Sequence, residues 1–191
     1  MYEAETLIAK RLRLLAHSEE IKYKDLDDKI KQIETQQGIL YTDEQLEAIK
    51  LALTRKVAVI TGGPGAGKST ILKGILDLFK LLKASNKIRL EEQIALLAPT
   101  GRASKRMSEI TKFESTIHRF LKWNKDTNRF QINEYNKSKV SFVIVDEASM
   151  IDTMLLANLL KGLYSSCHII FVGDANQLPA VAAGNVLNDR K

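Results

Sequence analysis

The sequence predicts an α/β fold in which a parallel sheet carries helices on both faces. Four short apolar runs are continuous rather than alternating, as in strands that are buried on both faces. Helical patterns separate these runs, and regular alternation of strand and helix is typical of a parallel sheet. The predicted strands cover residues 57–61, 94–98, 142–146 and 169–173.

Two short amphipathic helices are predicted before the first strand. Apolar residues recur at helical spacing over residues 1–16 and again over residues 25–36. We therefore expect a helical N-terminal segment over residues 1–37, and we interpret it as the end of a longer upstream region. A separate lobe is expected over residues 38–191.

Between and beyond the strands, two further stretches have a clear character. Residues 68–82 have apolar positions at helical spacing, which predicts a helix directly after the first strand. Residues 123–139 are polar with scattered aromatic side chains, and predict a surface excursion with room for a small hairpin. Near its start, Phe113, Phe120 and Trp123 have rings of the kind that stack on nucleic-acid bases, but Phe120 and Trp123 are expected to belong to the core instead.

Composition excludes several classes of protein. The chain has 191 residues, of which 45% are hydrophobic, so it is neither disordered nor membrane-spanning. Its single cysteine, Cys167, excludes an internal disulfide, and acidic residues stand where a signal peptide would be basic. We expect a protein of the reducing cytoplasm, with no membrane partner.

The positive charge of the chain is concentrated in one segment. The formal net charge is +6, and residues 101–140 alone hold ten Lys and Arg against four Asp and Glu, which is the same excess. A local basic stripe favours a polyanionic partner, although a solvated helix face would have the same composition.

A glycine-rich loop follows the first strand and opens the next helix. It fits the pattern G-x-x-x-x-G-K-[ST], in which backbone N–H groups surround a phosphate at a helix N-terminus. Within this pattern Lys68 reaches the β- and γ-phosphates, and the Ser69 hydroxyl binds Mg²⁺. The residues of the predicted nucleotide site are Gly62, Gly63, Pro64, Gly65, Ala66, Gly67, Lys68, Ser69 and Thr70.

Polar residues also follow the third and fourth predicted strands. Asp146 and Glu147 end the third, where one carboxylate suits Mg²⁺ and the second suits activation of an attacking water. Gln177, shortly after the fourth, is able to donate to a phosphate oxygen and accept from a water. For the segment that contains Gln177, a turn stabilised by Asp174 and Asn176 is an equally good interpretation.

The chain resembles the RecD/TraA family of superfamily 1 DNA helicases, which includes the exodeoxyribonuclease V alpha subunit. Six blocks carry the resemblance in order: YTDEQ, TGGPGAGKST, LLAPTGRASKRM, STIHRFL, VIVDEASMID and VGDANQLPAVAAGNVL. The resemblance implies that residues 38–191 form a RecA-like ATP-binding lobe of the P-loop NTPase class, truncated at its C-terminus. In this lobe Lys68, Glu147 and Gln177 would be catalytic, and Ser69 and Asp146 would hold Mg²⁺.

The resemblance also assigns adenine and DNA contacts. Gln45 would read adenine, yet Thr42-x-x-Gln45 is equally the pattern of a helix capping box, which would occupy the same side chain. The basic segment would contact single-stranded DNA. The predicted DNA-binding residues are Thr100, Arg102, Lys105, Thr116 and His118.

The family implies a motor of ATP-dependent DNA unwinding in recombination and repair, with 5′ to 3′ polarity and a bacterial, nucleoid-associated location. It further implies a second RecA-like lobe of the same polypeptide that supplies an arginine, together with recombination or nuclease subunits as partners. We therefore expect the 191-residue chain to bind ATP but to hydrolyse it weakly and not to unwind DNA. The alternatives are a nucleotide-gated interaction module of a recombination complex, an RNA helicase lobe and, more remotely, a P-loop kinase.

Overall fold

A computed structural model of the chain describes residues 2–63, 65–83, 90–101 and 114–174. The helices within these ranges are α1 (Tyr2–Ala16), α2 (Leu26–Gln37), α3 (Asp43–Thr54), α4 (Lys68–Lys83), α5 (Leu90–Gln93), α6 (Ile117–Phe120) and α7 (Thr153–Lys161). The strands are β1 (Val57–Thr61), β2 (Ile94–Ala98), β3 (Glu114–Thr116), β4 (Trp123–Asn124), β5 (Arg129–Phe130), β6 (Phe142–Val145) and β7 (His168–Gly173). A short 3₁₀ turn covers Ala148–Met150.

The main sheet has five parallel strands in the order β1-β7-β6-β2-β3. Its carboxyl ends therefore meet at one edge, where ligands of open α/β sheets bind. The four strands predicted from apolar runs are confirmed within one residue at each end. Strand β3 was not predicted, because its sequence, Glu-Ser-Thr, is short and polar and contains no apolar run.

Two apolar layers cover the faces of the sheet, as the continuous runs predict. In β6, Phe142 and Ile144 face the layer that α2, α3 and α4 cover. Val143 and Val145 face the opposite layer, which includes residues of α1, α6 and α7. A strand buried on both faces has no solvent side to alternate with, which is why it is apolar throughout.

The two N-terminal helices are present as predicted, and each packs on a different face. Leu12 and Leu15 of α1 lie in the same layer as α7, whereas Ile30 and Ile33 of α2 lie in the layer with α4. The separation of residues 1–37 from the lobe stays a prediction. Among the described residues, no helix is long and apolar enough to cross a membrane.

A small antiparallel hairpin, β4–β5, occupies part of the polar stretch predicted as a surface excursion. It is firmly attached to the lobe. Ile132 donates its N–H to the carbonyl oxygen of Leu121 at 3.1 Å, and Ser138 donates to that of Gly162 at 2.9 Å. A Cβ on Gly162 would lie 2.9 Å from Ile132 Cγ2, so only glycine permits this close approach.

Candidate functional site: a phosphate loop and an acidic pair on one sheet edge

The glycine-rich loop lies between the end of β1 and the start of α4. Gly65 and Gly67 have φ angles of +79° and +74°, a region that side chains with a Cβ rarely adopt. The Gly62 N–H donates to the Gly173 carbonyl at 3.4 Å, which fastens the loop to the end of β7. Pro64 lies outside the described residues. The described part of the loop thus has the backbone that a phosphate-binding turn requires.

Lys68 places its charge within the loop. Its Nζ donates to the carbonyl oxygen of Gly62 and, at 3.3 Å, to that of Gly63. Ser69 and Thr70 follow on the exposed first turn of α4. The loop therefore presents one cation and two exposed hydroxyls at the start of a helix, which is the donor set that a nucleotide phosphate needs.

Gln45 connects the start of α3 to this loop. Its Oε1 accepts from the Thr42 N–H at 3.1 Å, and its own N–H donates to Thr42 Oγ1 at 3.3 Å, so the capping box is confirmed. The Nε2 end lies against the phosphate loop, since a Cβ on Gly67 would be only 2.5 Å from it. The side chain caps its helix and borders the predicted nucleotide site at the same time.

Asp146 and Glu147 follow β6 at the same edge of the sheet. The Asp146 N–H donates to the Leu97 carbonyl of β2 at 2.8 Å, which fixes the point at which the acidic pair leaves the sheet. Glu147 has φ +51° and ψ +40°, a left-handed conformation that costs a residue with a Cβ about 1 kcal/mol. Both acids are half-buried. An unfavourable backbone at a carboxylate is typical of a functional site.

The order of the strands sets the separation of these groups. One strand, β7, lies between β1 and β6, so the phosphate loop and the acidic pair leave the sheet about 10 Å apart. Asp174 directly follows β7 and is 7% exposed, which places a buried carboxylate between the two. From the sequence, Asp174 is predicted only to stabilise a turn. An acid directly after a buried strand was the signal to include it.

The described members of the predicted DNA-binding set lie toward the opposite end of the sheet edge. Thr100 is exposed shortly after β2, and Thr116 ends β3, about 19 Å from the end of β1 across four strand spacings. Thr116 Oγ1 accepts from the Arg119 N–H at 3.2 Å and caps α6, whereas His118 is exposed. Arg102, Lys105 and Gln177 lie outside the described residues.

One expectation about aromatic residues was wrong. Phe120 packs against the core, as predicted, but Trp123 is only half-buried, and its ring pairs with those of Phe130 and His118 instead. Centroid distances are 4.7 Å from Trp123 to Phe130 and 6.2 Å from Trp123 to His118. The polar neighbours of Trp123 in the sequence were the signal for this partial exposure.

Comparison with known proteins agrees with this architecture. A family model described as an AAA domain matches residues 45–183. The chain belongs to this AAA-domain family. Its matched region begins at Gln45, so it includes every described residue of the phosphate loop and the acidic pair.

Two curated relatives of this AAA domain are named for RecD. The RecBCD enzyme subunit RecD of Mycolicibacterium smegmatis is 34% identical over 165 residues, which is 77% of this chain and 30% of the relative. The ATP-dependent RecD2 DNA helicase of Deinococcus radiodurans is 35% identical over 144 residues, covering 75% of this chain and 19% of the relative. The resemblance to RecD-type helicases is confirmed, and the chain spans less than a third of the length of these relatives.

A solved structure shows the same fold. The Pif1 helicase from Candida albicans superposes with a TM-score of 0.56 at 24% identity, over 75% of this chain and 34% of that chain. The predicted parallel α/β fold with helices on both faces is confirmed.

The residues present fit a nucleotide, and the family is one of nucleotide-binding domains. Among the described residues, no group of three or more His, Cys, Asp or Glu side chains is arranged to hold a metal ion. The exposed Ser69 hydroxyl and the Asp146 carboxylate are suitable ligands for Mg²⁺. This cation usually takes only one or two ligands from the protein, and phosphates and waters complete its coordination shell.

Proposed function

We propose that this chain is the ATP-binding motor lobe of an ATP-dependent DNA helicase that translocates along single-stranded DNA. The arrangement at one sheet edge carries the proposal: Lys68 within the phosphate loop, and Asp146 and Glu147 two strands away. The names of the RecD and RecD2 relatives support helicase activity. The 5′ to 3′ polarity is part of the proposal.

Within this lobe, the acidic pair and the loop have separate tasks. Ser69 and Asp146 would hold Mg²⁺, which supplies charge neutralisation on the phosphates when it is bound. Glu147 accepts the proton of an attacking water, and a half-buried carboxylate in a constrained backbone is well oriented for that. Lys68 and Gln177 stabilise the charge of the transferring phosphoryl group.

The DNA strand would cross the other end of the edge. Thr100 follows β2 and Thr116 ends the neighbouring strand β3, and His118 is exposed two residues further on. Arg102 and Lys105 supply charge from the segment with the +6 excess. A second RecA-like lobe, recombination or nuclease subunits and a cytoplasmic, nucleoid-associated location complete the proposal.

Nucleotide binding is tested by a fluorescent ATP analogue with Mg²⁺ and the Lys68→Ala variant of the 191-residue chain. We expect Lys68→Ala to weaken binding by at least tenfold, because a charge-assisted contact to phosphate is worth about 1.5–3 kcal/mol. The matched control is Lys73→Ala, an exposed lysine on the same helix. Equal binding by parent and Lys68→Ala would remove the phosphate-loop assignment.

DNA binding is tested by charge reversal at Arg102 and Lys105. If each contacts one phosphate of a single strand, the double variant should lower the slope of log affinity against log salt by about 1.4. Reversal of Lys73, on α4, should leave the slope unchanged. An unaltered slope in the double variant would exclude this segment from the DNA site. Stronger activation of ATP hydrolysis by RNA than by DNA in the full-length protein would favour an RNA motor.

A further inference from the structure

A groove of about 650 Å³ lies between the β4–β5 hairpin and α7. Its volume is within the usual range for small-ligand sites, about 300–1,000 Å³. One wall carries the rings of His118, Trp123 and Phe130, and the other carries Met154 and Asn158 of α7. Of the residues given a role above, only His118 lines this groove.

The aromatic wall is rigid and incompletely covered. Trp123 and Phe130 are directly paired across β4 and β5, with ring centroids 4.7 Å apart and planes tilted by 54°. His118 joins them from α6, 5.8 Å from Phe130. Trp123 and Phe130 are half-buried and His118 is exposed, so the cluster keeps ring surface open to the groove.

One cation at the groove is available to an anionic group of a ligand. The two acids of the groove already have partners: Asp152 caps α7 by accepting from the Leu155 N–H at 2.8 Å, and Glu134 lies 3.9 Å from Lys161. Arg129 is exposed on the rim, with no acidic side chain within 4.0 Å among the described residues. Open rings beside a free guanidinium match a base next to a phosphate.

The groove is also at the correct end of the sheet for a nucleic-acid strand. The α6 helix directly follows β3, and α7 follows β6 through the 3₁₀ turn, so both walls begin at the carboxyl edge. The phosphate loop lies at the far end of the same edge, next to β1. A ligand in the groove therefore does not compete with nucleotide at the phosphate loop.

We propose that this groove binds an unpaired nucleobase of a nucleic-acid strand by stacking on Trp123 and Phe130, with Arg129 on a neighbouring phosphate. The proposal rests on the proposed function, because a strand must already lie on this lobe. Base recognition by stacking tolerates any sequence, since every base has a π-face.

Trp123 provides the test, because it is the only tryptophan of the chain. The 191-residue chain and its variants are titrated into a labelled short oligothymidylate and into a labelled abasic oligomer of equal phosphate number, and the anisotropy of the label gives the affinities. In the parent chain, tryptophan emission is followed in the same titrations. Stacking predicts quenching by oligothymidylate and none by the abasic oligomer. Affinity for oligothymidylate should exceed that for the abasic oligomer by about five- to 150-fold, since each stacked base is worth about 1–3 kcal/mol.

Variants separate stacking from folding. Trp123→Ala should weaken oligothymidylate binding while leaving abasic binding unchanged, and Trp123→Phe should restore most of it. Tyr164→Ala, at a 51% exposed aromatic residue that does not line the groove, is the matched control. Arg129→Gln should weaken both oligomers equally.

The outcomes distinguish the two proposals. Equal affinity for both oligomers with unchanged emission would overturn the base groove and leave strand binding by the lobe intact. Loss of abasic binding in Trp123→Ala would also overturn it, because a stacking residue has no effect on phosphates alone. Binding of neither oligomer would reject both the groove and the DNA side of the proposed function.

Discussion

Stability should fall on mild acidification because of His168, the first residue of β7. Burial, and next to it the charges of Lys56 and Lys83, lower the pKa of His168 to about 4 from an ordinary value of 6.5. The folded protein therefore binds fewer protons than the unfolded chain between these pH values. Its free energy of unfolding then decreases as the pH falls through that window.

The magnitude follows from the two pKa values. The full difference corresponds to about 3 kcal/mol, and about 2 kcal/mol of it is expressed on going from pH 7.5 to pH 5. Urea unfolding at both pH values measures it. In His168→Phe, which keeps a ring to stack on Phe142, the decrease on acidification should be smaller by this amount.

Other groups titrate over the same range, so the comparison between parent and variant is decisive. His17→Gln, at an exposed histidine, is the matched control and should lose as much stability on acidification as the parent. If His168→Phe also loses as much as the parent, burial of a neutral imidazole in β7 does not contribute to the acid sensitivity.

Three further predictions concern the nucleotide edge and the core beneath it. Gln45→Ala and Thr42→Ala both break the capping box and should each cost about 1 kcal/mol of stability in urea unfolding. Only Gln45→Ala should also lower the affinity for ATP relative to that for GTP. If both variants keep the same ratio of the two affinities, Gln45 caps its helix and does not contact the base. Glu147→Gly should be about 1 kcal/mol more stable than Glu147→Ala, because glycine adopts φ +51° without strain. Equal melting temperatures of the two variants would contradict this. Tyr41→Phe should be neutral or stabilising by about 1 kcal/mol, because the buried Tyr41 hydroxyl has no hydrogen-bond partner among the described residues. A clear decrease in the free energy of unfolding would instead indicate a partner for this hydroxyl.

The strands that the sequence predicted share one physical property. Runs such as 57–61 and 94–98 are apolar throughout because both faces of the sheet are covered, and β1 and β2 have the predicted bounds. The phosphate loop was equally predictable from the sequence, since local backbone geometry requires glycine at positions 65 and 67. Features that depend on local chemistry are visible in local sequence.

Other features depend on which segments meet in space, and these were not predicted. The strand order, which sets Asp174 between the phosphate loop and Asp146, is a property of tertiary packing. The half-exposed ring of Trp123 likewise depends on the hairpin and α6. For Gln45 the sequence allowed a cap or a nucleotide contact, and only the three-dimensional arrangement brings its two ends to α3 and to Gly67.

Strand β2 limits how the two ends of the functional edge can move. The Leu97 carbonyl accepts from the Asp146 N–H, and the next residue, Ala98, pairs with Thr116 of β3. Leu97 and Ala98 are at most 1% exposed, so displacement of this strand would disturb close packing on both faces of the sheet. The acidic pair and the start of α6 are therefore held at a fixed separation. Among the described residues of this edge, we expect a nucleotide-dependent change where the backbone is irregular, in the phosphate loop and at the left-handed Glu147, rather than in the strands between them.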